Sequence, residues 1–138
     1  MNNVMHLKIV GKPRKKTRAR KGKFNNWYNP DAKQMAIDTG QIRMQLPEGF
    51  RAIKKGTPVE INIIAFFEPS KTEKTKKFVE TIKNENVSYI KKSDIDNITK
   101  YILDLFSKII YHDDNQVYKG CTEKYYSLDA RTEIEVKW

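Results

Sequence analysis

The sequence predicts a two-layer α+β fold in which a mixed β-sheet carries its helices on one side. Segments with strand periodicity and segments with helical periodicity follow one another in the order β, α, β, α, α, β, β. The 138 residues suffice for one domain with a hydrophobic core and are too few for two. An aromatic content of 11% also excludes wholesale disorder. We therefore expect a single domain over residues 1–138.

The first strand and the segment after it differ in composition. Met5, Leu7 and Ile9 alternate with more polar residues, which indicates a strand with one buried face, and Gly11 ends it. Residues 12–23 then hold eight basic residues and no acidic one. Because such a segment repels itself and has little apolar surface, we expect a mobile basic arm there.

A first helix is predicted after the arm. Asn29 is the expected N-cap, Pro30 the first-turn proline and Asp31 a first-turn acid. Gly40 is expected to weaken this helix or to end it early. The residues that would line one face of the helix are Ala32, Met35, Ala36 and Ile42.

The middle of the chain predicts a central strand and a short helix. A turn at residues 47–49 precedes residues 59–67, whose β-branched and aromatic side chains fit a strand in the middle of a sheet. Residues 71–84 are highly charged, but three apolar residues recur there at helical spacing and could dock a helix on the sheet. These three are Phe78, Val79 and Ile82.

The clearest helix lies over residues 97–108, where apolar residues follow an i, i+4, i+7, i+11 pattern. The stripe consists of Ile98, Ile102, Leu105 and Ile109. Two later segments, around residues 117–126 and 132–138, favour strands and complete the predicted sheet.

The charge balance indicates the class of partner. The chain has 27 Lys+Arg against 17 Asp+Glu, a formal net charge of +10, and a positive surface gains free energy by releasing counterions from nucleic acid. No apolar run approaches the roughly 20 residues that span a bilayer. We expect no signal peptide and no membrane partner, and hence a cytoplasmic protein.

Cys121 is the single cysteine, which excludes an internal disulfide, and we interpret it as a small apolar side chain.

Acidic residues gather beside the clearest helix of this basic chain. Asp94 and Asp96 are two apart, so in an extended segment both side chains point the same way, and Lys100 lies one helical turn after Asp96. Asp113 or Asp114, after the helix, can return to complete the group. Mg²⁺ prefers oxygen ligands and keeps several waters, so two or three carboxylates and a substrate phosphate suit it. This pattern predicts metal-assisted phosphodiester hydrolysis, with Lys100 stabilising negative charge.

A purely structural interpretation of the same residues stays open. Asp94 and Asp96 can be a helix N-cap and a first-turn acid, and Asp96 with Lys100 can be an ordinary i, i+4 ion pair. Residues 113–115 can be a turn. A calcium loop of the EF-hand type fits less well, because Ile98 and Thr99 occupy positions that such a loop reserves for a ligand and a glycine.

We interpret the basic arm as a DNA-binding segment, with a merely solvated charge run as the alternative. Phe24, Trp27 and Tyr28 follow the arm closely and can stack on unpaired bases. The residues expected to contact DNA are Lys12, Arg14, Lys15, Lys16, Arg18, Arg20, Lys21 and Lys23.

Taken in order, these motifs resemble the RusA-type Holliday junction resolvases, small dimeric endonucleases found in bacteria and often encoded by phages and prophages. The resemblance runs along almost the whole chain, and its acidic part is the most specific. The matching motifs are Gly11-Lys12-Pro13 with the basic arm through Arg18 and Arg20, Tyr28-x-Pro30, the strand at 59–67, Asp94-Ile95-Asp96-Asn97-x-x-Lys100 with Asp104 and Leu105, Asp113-Asp114-x-Gln116, and Thr132-Glu133-Ile134-Glu135.

The resemblance implies a Mg²⁺-dependent homodimeric endonuclease that resolves four-way DNA junctions by paired nicks and needs no small-molecule cofactor. Mn²⁺ is expected to substitute for Mg²⁺. By position, Asp94, Asp96 and Asp114 would form the metal site, and Lys100 would assist catalysis. Asp113 matches the acid beside the third ligand, so either member of that pair can be the ligand.

The resemblance also bears on DNA contacts. Lys16, Arg18 and Arg20 fall where the family's basic arm meets DNA, whereas Ser93 replaces a proline that many members carry before the first aspartate. Two other functions stay open at this point. One is a non-catalytic DNA-binding module, and the other is a nuclease that acts on forks or flaps.

Overall fold

The computed structural model describes residues 2–138 and confirms the α+β fold. Its order of main elements is the predicted one, with a short hairpin added after the first strand. The strands are β1 (Val4–Val10), β2 (Arg20–Lys21), β3 (Trp27–Tyr28), β4 (Val59–Phe67), β5 (Val117–Tyr126) and β6 (Arg131–Lys137), and the helices are α1 (Ala32–Gln45), α2 (Lys76–Ile82) and α3 (Ile95–Phe106). Single 3-10 turns cover Lys23–Asn25 and Asp114–Gln116.

The main sheet has four strands in the order β1-β6-β4-β5. Strands β4 and β5 are parallel, while β6 pairs antiparallel with both β4 and β1, so the sheet is mixed as predicted. Strand β4 lies inside the sheet, which agrees with its apolar composition. Strands β2 and β3 form a separate two-stranded ribbon.

The hydrophobic core lies between one face of the sheet and helices α1 and α3. Strand β4 contributes Val59, Ile61 and Ile63 to it, whereas Glu60, Asn62 and Ile64, which alternate with them, are only partly buried. Helix α3 contributes five buried side chains, namely Ile98, Tyr101, Ile102, Leu105 and Phe106. The apolar residues that repeat every second position on β4 and every three to four positions on α3 therefore pack in one core.

Helix α3 begins and ends two residues earlier than predicted. Asp94 is its N-cap with extended backbone, and Asp96 lies in its first turn. The expectation that both aspartates share one extended segment was therefore wrong. The helix ends because Ser107 is extended and Lys108 is left-handed, with φ 69°. Ile109 lies outside the helix but still packs against the core.

Helix α1 differs from the prediction at its start, its length and its buried face. Its N-cap is Asp31 and not Asn29, and it continues past Gly40. Ala32 and Ala36, expected on the inner face, are exposed. The fully buried residues of this helix are Asp38 and Ile42. Asp38 is buried where alanine was expected because its carboxylate has hydrogen-bond partners in the interior.

Strands β4 and β5 lie very close together at Gly120. Gly120 of β5 packs so closely on β4 that a Cβ atom there would lie 2.0 Å from the carbonyl oxygen of Ile61. Cys121, beside it, is exposed. Among residues 2–138, no helix is both long and apolar enough to cross a bilayer.

Candidate active site

The N-terminal part of α3 and the basic arm together form a cleft of about 470 Å³. The predicted residues Asp94, Asp96 and Lys100 all line it, and so does the middle of the arm. The arm and helix residues that complete the lining are Lys16, Thr17, Arg18, Ala19 and Asn97. Two acids and three cations thus face one space, which suits a phosphate with a metal ion.

Helix α3 places these groups by its own geometry. Asp94 precedes the first turn, Asp96 lies within it, and Lys100 follows one turn later, so all three belong to the same end of the helix. The inner side of that end is held in the core by Ile98. The polar side is therefore turned to the cleft.

The simpler interpretation of the two aspartates is confirmed only in part, because Asp94 is the N-cap residue and Asp96 lies in the first turn of α3. The side chain of Asp94, however, makes no capping hydrogen bond. Asp96 and Lys100 form no ion pair with each other or with any other residue from 2 to 138. The carboxylate oxygens and the ammonium group remain available to a ligand.

Ser93 gives the turn before α3 an unusual backbone. Its φ is 110°, a value that a proline ring, fixed near −65°, cannot adopt. The ammonium of Lys124 donates to the carbonyl oxygen of Ser93 at 2.9 Å. A proline at this position could therefore not keep the backbone conformation that Ser93 adopts just before Asp94.

The basic arm is bound to the rest of the fold at several points. The backbone N–H of Lys16 donates to the carbonyl oxygen of Asn97 at 2.9 Å, and that of Thr17 donates to Oδ2 of Asp31 at 2.7 Å. Further along, Arg20 and Lys21 pair with β3. These contacts bring the middle of the arm against α3.

The predicted DNA-contacting residues fall into two groups. Arg14 and Lys16 have acidic partners within the fold, since Arg14 pairs with Asp38 and Lys16 pairs with Asp104. The others form no ion pair in the described part of the chain. They are Lys12, Lys15, Arg18, Arg20, Lys21 and Lys23.

Asp113 and Asp114 lie outside the cleft, at the 3-10 turn before β5. Asp113 caps that turn, and its Oδ1 accepts from the N–H of Asn115 at 3.0 Å. This bond and one with Asp114 lower the pKa of Asp113. The hydrogen bond between the carboxyl groups of Asp113 and Asp114 is the main cause that raises the pKa of Asp114. Desolvation and the negative charges of Asp113 and Asp104 raise it further. A third carboxylate is therefore near α3 but not beside the first two.

The predicted metal site is only partly assembled. No group of three or more His, Cys, Asp or Glu side chains among residues 2–138 is arranged to hold a metal ion. Asp94 and Asp96 nevertheless offer hard oxygen donors that have no ionic partner among residues 2–138, and Mg²⁺ accepts one or two carboxylates when waters and substrate phosphate supply the rest. The donor chemistry of this pair fits a hard divalent cation.

One buried polar group escaped the sequence-based prediction. Asp38 has no exposed surface, and it is hydrogen-bonded to Arg14, Gln34 and Tyr101. A signal was present, because Asp38 lies three residues after Met35 and four before Ile42. Those spacings place it on the face that helical periodicity assigns to the core.

Comparison with known proteins adds one finding. The model of the family described as Endodeoxyribonuclease RusA matches residues 6–137, which include the arm, the cleft and the turn that carries Asp113 and Asp114. Among curated proteins, none matches this chain.

Proposed function

Because the chain belongs to the RusA endodeoxyribonuclease family, we propose that it resolves four-way DNA junctions with Mg²⁺ held at Asp94 and Asp96. The family consists of Holliday junction resolvases, which bind branched DNA and use a divalent metal. The chain is accordingly an endodeoxyribonuclease. The choice of metal, the residues that hold it and the assembly of the enzyme are the parts that we propose.

One observation carries the proposal. Asp94, Asp96 and Lys100 open onto a single cleft that the basic arm also lines, and none of the three has an ionic partner within residues 2–138. All three side chains are exposed, and an ion pair between exposed groups would add little stability. The two carboxylates and the ammonium group are therefore free to bind a metal ion and a polyanion in this cleft.

Asp94 and Asp96 would supply oxygen ligands for Mg²⁺, for which Mn²⁺ could substitute. When bound, the ion supplies Lewis-acid chemistry, which makes water a better nucleophile and offsets charge on the phosphate. Asp114 is the proposed third ligand by family resemblance, with Asp113 as the alternative. Neither Asp113 nor Asp114 lines the cleft, whereas Asp94 and Asp96 both do.

The chain's own cations have separate roles in this proposal. The ammonium of Lys100 lies in the cleft and can stabilise negative charge that develops on the phosphate or on the leaving oxygen. The exposed cations of the arm, such as Arg18 and Arg20, can bind the DNA backbone. Backbone contacts fix the position of the DNA and carry no sequence information directly.

We propose a homodimer as the active form. A four-way junction has near two-fold symmetry, so a symmetric dimer can place one site on each of two opposed strands. Hydrolysis at both sites gives paired nicks with 5′-phosphate and 3′-hydroxyl ends. Such DNA arises during recombination and repair, so the activity would belong to the cytoplasm of a bacterial host, on bacterial or phage DNA.

The test is a cleavage assay on a panel of synthetic DNAs at one salt concentration, since phosphate contacts make binding salt-dependent. The panel contains a four-way junction, a fork, a flap and a linear duplex, each with Mg²⁺ and with EDTA. We expect paired, Mg²⁺-dependent nicks in the junction. Faster cleavage of forks or flaps would show that these, and not four-way junctions, are the preferred substrate. Tight binding without any cleavage would reject the nuclease function.

A further inference from the structure

We infer that Asp38 is a positioning residue, which acts through Arg14 to hold the basic arm beside the cleft. The inference rests on the proposed function, because the arm matters only if the cleft receives DNA. Asp38 touches neither the cleft nor the groups that would react. Its effect on the reaction would pass through the arm and through α3.

Asp38 binds three parts of the chain at once. Its carboxylate accepts from Nε and Nη2 of Arg14 at 3.1 and 3.2 Å, and from Nε2 of Gln34 at 3.0 Å. The hydroxyl of Tyr101 donates to it at 2.6 Å. Burial of a carboxylate is costly unless it is paired and hydrogen-bonded, so these partners are held in place together. The arm, α1 and α3 therefore meet at one carboxylate.

Arg14 connects Asp38 to the start of the basic arm. Besides Asp38, its guanidinium donates to the carbonyl oxygens of Val10 and Lys12. It folds back over Gly11, whose φ is 97° and whose added Cβ atom would lie 3.2 Å from Nη1 of Arg14. Arg14 thus fixes the path of the chain where it leaves β1. Its charge is directed towards the buried carboxylate of Asp38.

The residues that Asp38 holds lie next to residues of the cleft, both in the arm and on α3. Two residues after Arg14, the backbone of Lys16 is bonded to the carbonyl oxygen of Asn97, the neighbour of Asp96. On α3, Tyr101 follows Lys100, and burial together with its bond to Asp38 raises the pKa of Tyr101, so that it remains a donor. The same carboxylate therefore fixes the arm and the helix that carries the proposed catalytic groups.

Such an arrangement serves geometry more than stability. A buried ion pair often adds little net stability, because desolvation offsets the attraction. An arm that is already in place does not lose further freedom when the phosphate reaches the cleft, and correct placement of reacting groups can contribute strongly to rate. Loss of the pair should then affect the rate at saturation more than the affinity for DNA.

Two variants and one control test this inference. D38N removes the charge and keeps the shape, and R14M/D38L replaces the pair by apolar side chains, which protects the fold from an unpaired buried arginine. E85Q weakens a less buried ion pair between Glu85 and Arg131, which lie 2.7 Å apart and do not line the cleft. Measurements are thermal stability, amide hydrogen exchange, junction affinity and the single-turnover cleavage rate at saturation.

In R14M/D38L we expect lower thermal stability, because the buried hydroxyl of Tyr101 loses its acceptor. Amide exchange at Lys16 and Thr17 should become about tenfold faster, with a smaller change at Ile63 of β4. The cleavage rate should fall about tenfold or more, with affinity within about threefold of wild type. E85Q should retain wild-type exchange in the arm and the wild-type rate. If R14M/D38L keeps the wild-type exchange and rate, the inference is wrong. If the wild type itself fails to cleave, the proposed function is wrong, and the exchange data still decide whether Asp38 anchors the arm.

Discussion

The ammonium of Lys16 lies 3.0 Å from Oδ2 of Asp104, so a cation of the basic arm is paired with the helix that carries Asp96 and Lys100. Both partners keep substantial exposure, 30% for the Lys16 side chain and 41% for that of Asp104. Exposed pairs of this kind contribute about 0–1 kcal/mol. A DNA phosphate can therefore replace Asp104 as the partner of Lys16 at little cost.

Single substitutions at this pair should have opposite effects on DNA binding. K16M removes a phosphate contact and should weaken junction binding, with a salt slope smaller by about 1. D104N frees Lys16 and should leave binding unchanged or make it tighter, with stability altered by less than about 1 kcal/mol. Fluorescence anisotropy titrations at several salt concentrations measure both effects. Equal weakening by the two variants would mean that Lys16 only supports the fold.

Phe24 should contribute to the recognition of unpaired bases. Phe24 is 92% exposed at the tip of the hairpin that the end of the basic arm forms with β3. Stacking of a base on an aromatic ring is worth about 1–3 kcal/mol, so F24A should weaken binding to branched or single-stranded DNA by that amount and affect linear duplex much less. M44A, which truncates an 89% exposed side chain on α1, is the control. Equal losses on duplex and branched DNA would argue against stacking.

Acid should destabilise the protein partly through Glu73. Bonds from the hydroxyl of Tyr126 at 2.6 Å and from the N–H of Ser70 at 2.9 Å lower the pKa of Glu73 from 4.5 to about 2. Because the folded pKa is the lower one, the stabilisation is complete above pH 4.5 and is lost as the pH falls from 4.5 towards 2. Thermal unfolding at pH 7 and pH 3 should show a smaller acid loss for E73Q and for Y126F than for wild type. An equal loss of thermal stability between pH 7 and pH 3 in all three proteins would refute the role of Glu73 in acid sensitivity.

Gly120 should not tolerate a side chain. A Cβ atom there would lie 2.0 Å from a backbone oxygen of the neighbouring strand, so β4 and β5 would have to separate locally. G120A should destabilise by about 3 kcal/mol or more. At Gly40 of α1 no atom lies within 4 Å of an added Cβ, and G40A should stabilise the helix by about 0.5–1 kcal/mol. Urea unfolding compares the two, and a mild effect of G120A would contradict the close strand packing.

The strands and α3 could be predicted because their buried faces repeat at the period of the element. Met5, Leu7 and Ile9 are all buried on β1, and β5 has the bounds predicted for it. Helix α1 was harder, because its inner face buries Asp38 while Ala36 is exposed. Only a partner distant in sequence, Arg14, makes burial of that acid acceptable, and periodicity carries no information on such partners.

Part of the candidate site followed from local spacing alone. Asp96 and Lys100 are one helical turn apart, so the formation of α3 brings them to the same region. The position of Asp114 depends instead on how the chain turns after α3. Lys108 adopts a left-handed conformation there, and Tyr111 is fully buried. Asp114 does not line the cleft, and the periodicity of α3 carries no information on the turn that sets its position.

The most direct test of the account is the single-turnover cleavage of a four-way junction by D96N in Mg²⁺. We predict that D96N binds the junction at least as well as wild type, since it removes a negative charge, and that it cleaves about a hundredfold more slowly or worse. E48Q, which removes an exposed carboxylate outside the cleft, should cleave at the wild-type rate. Cleavage by D96N at the wild-type rate would contradict the central claim that this cleft is the nuclease site.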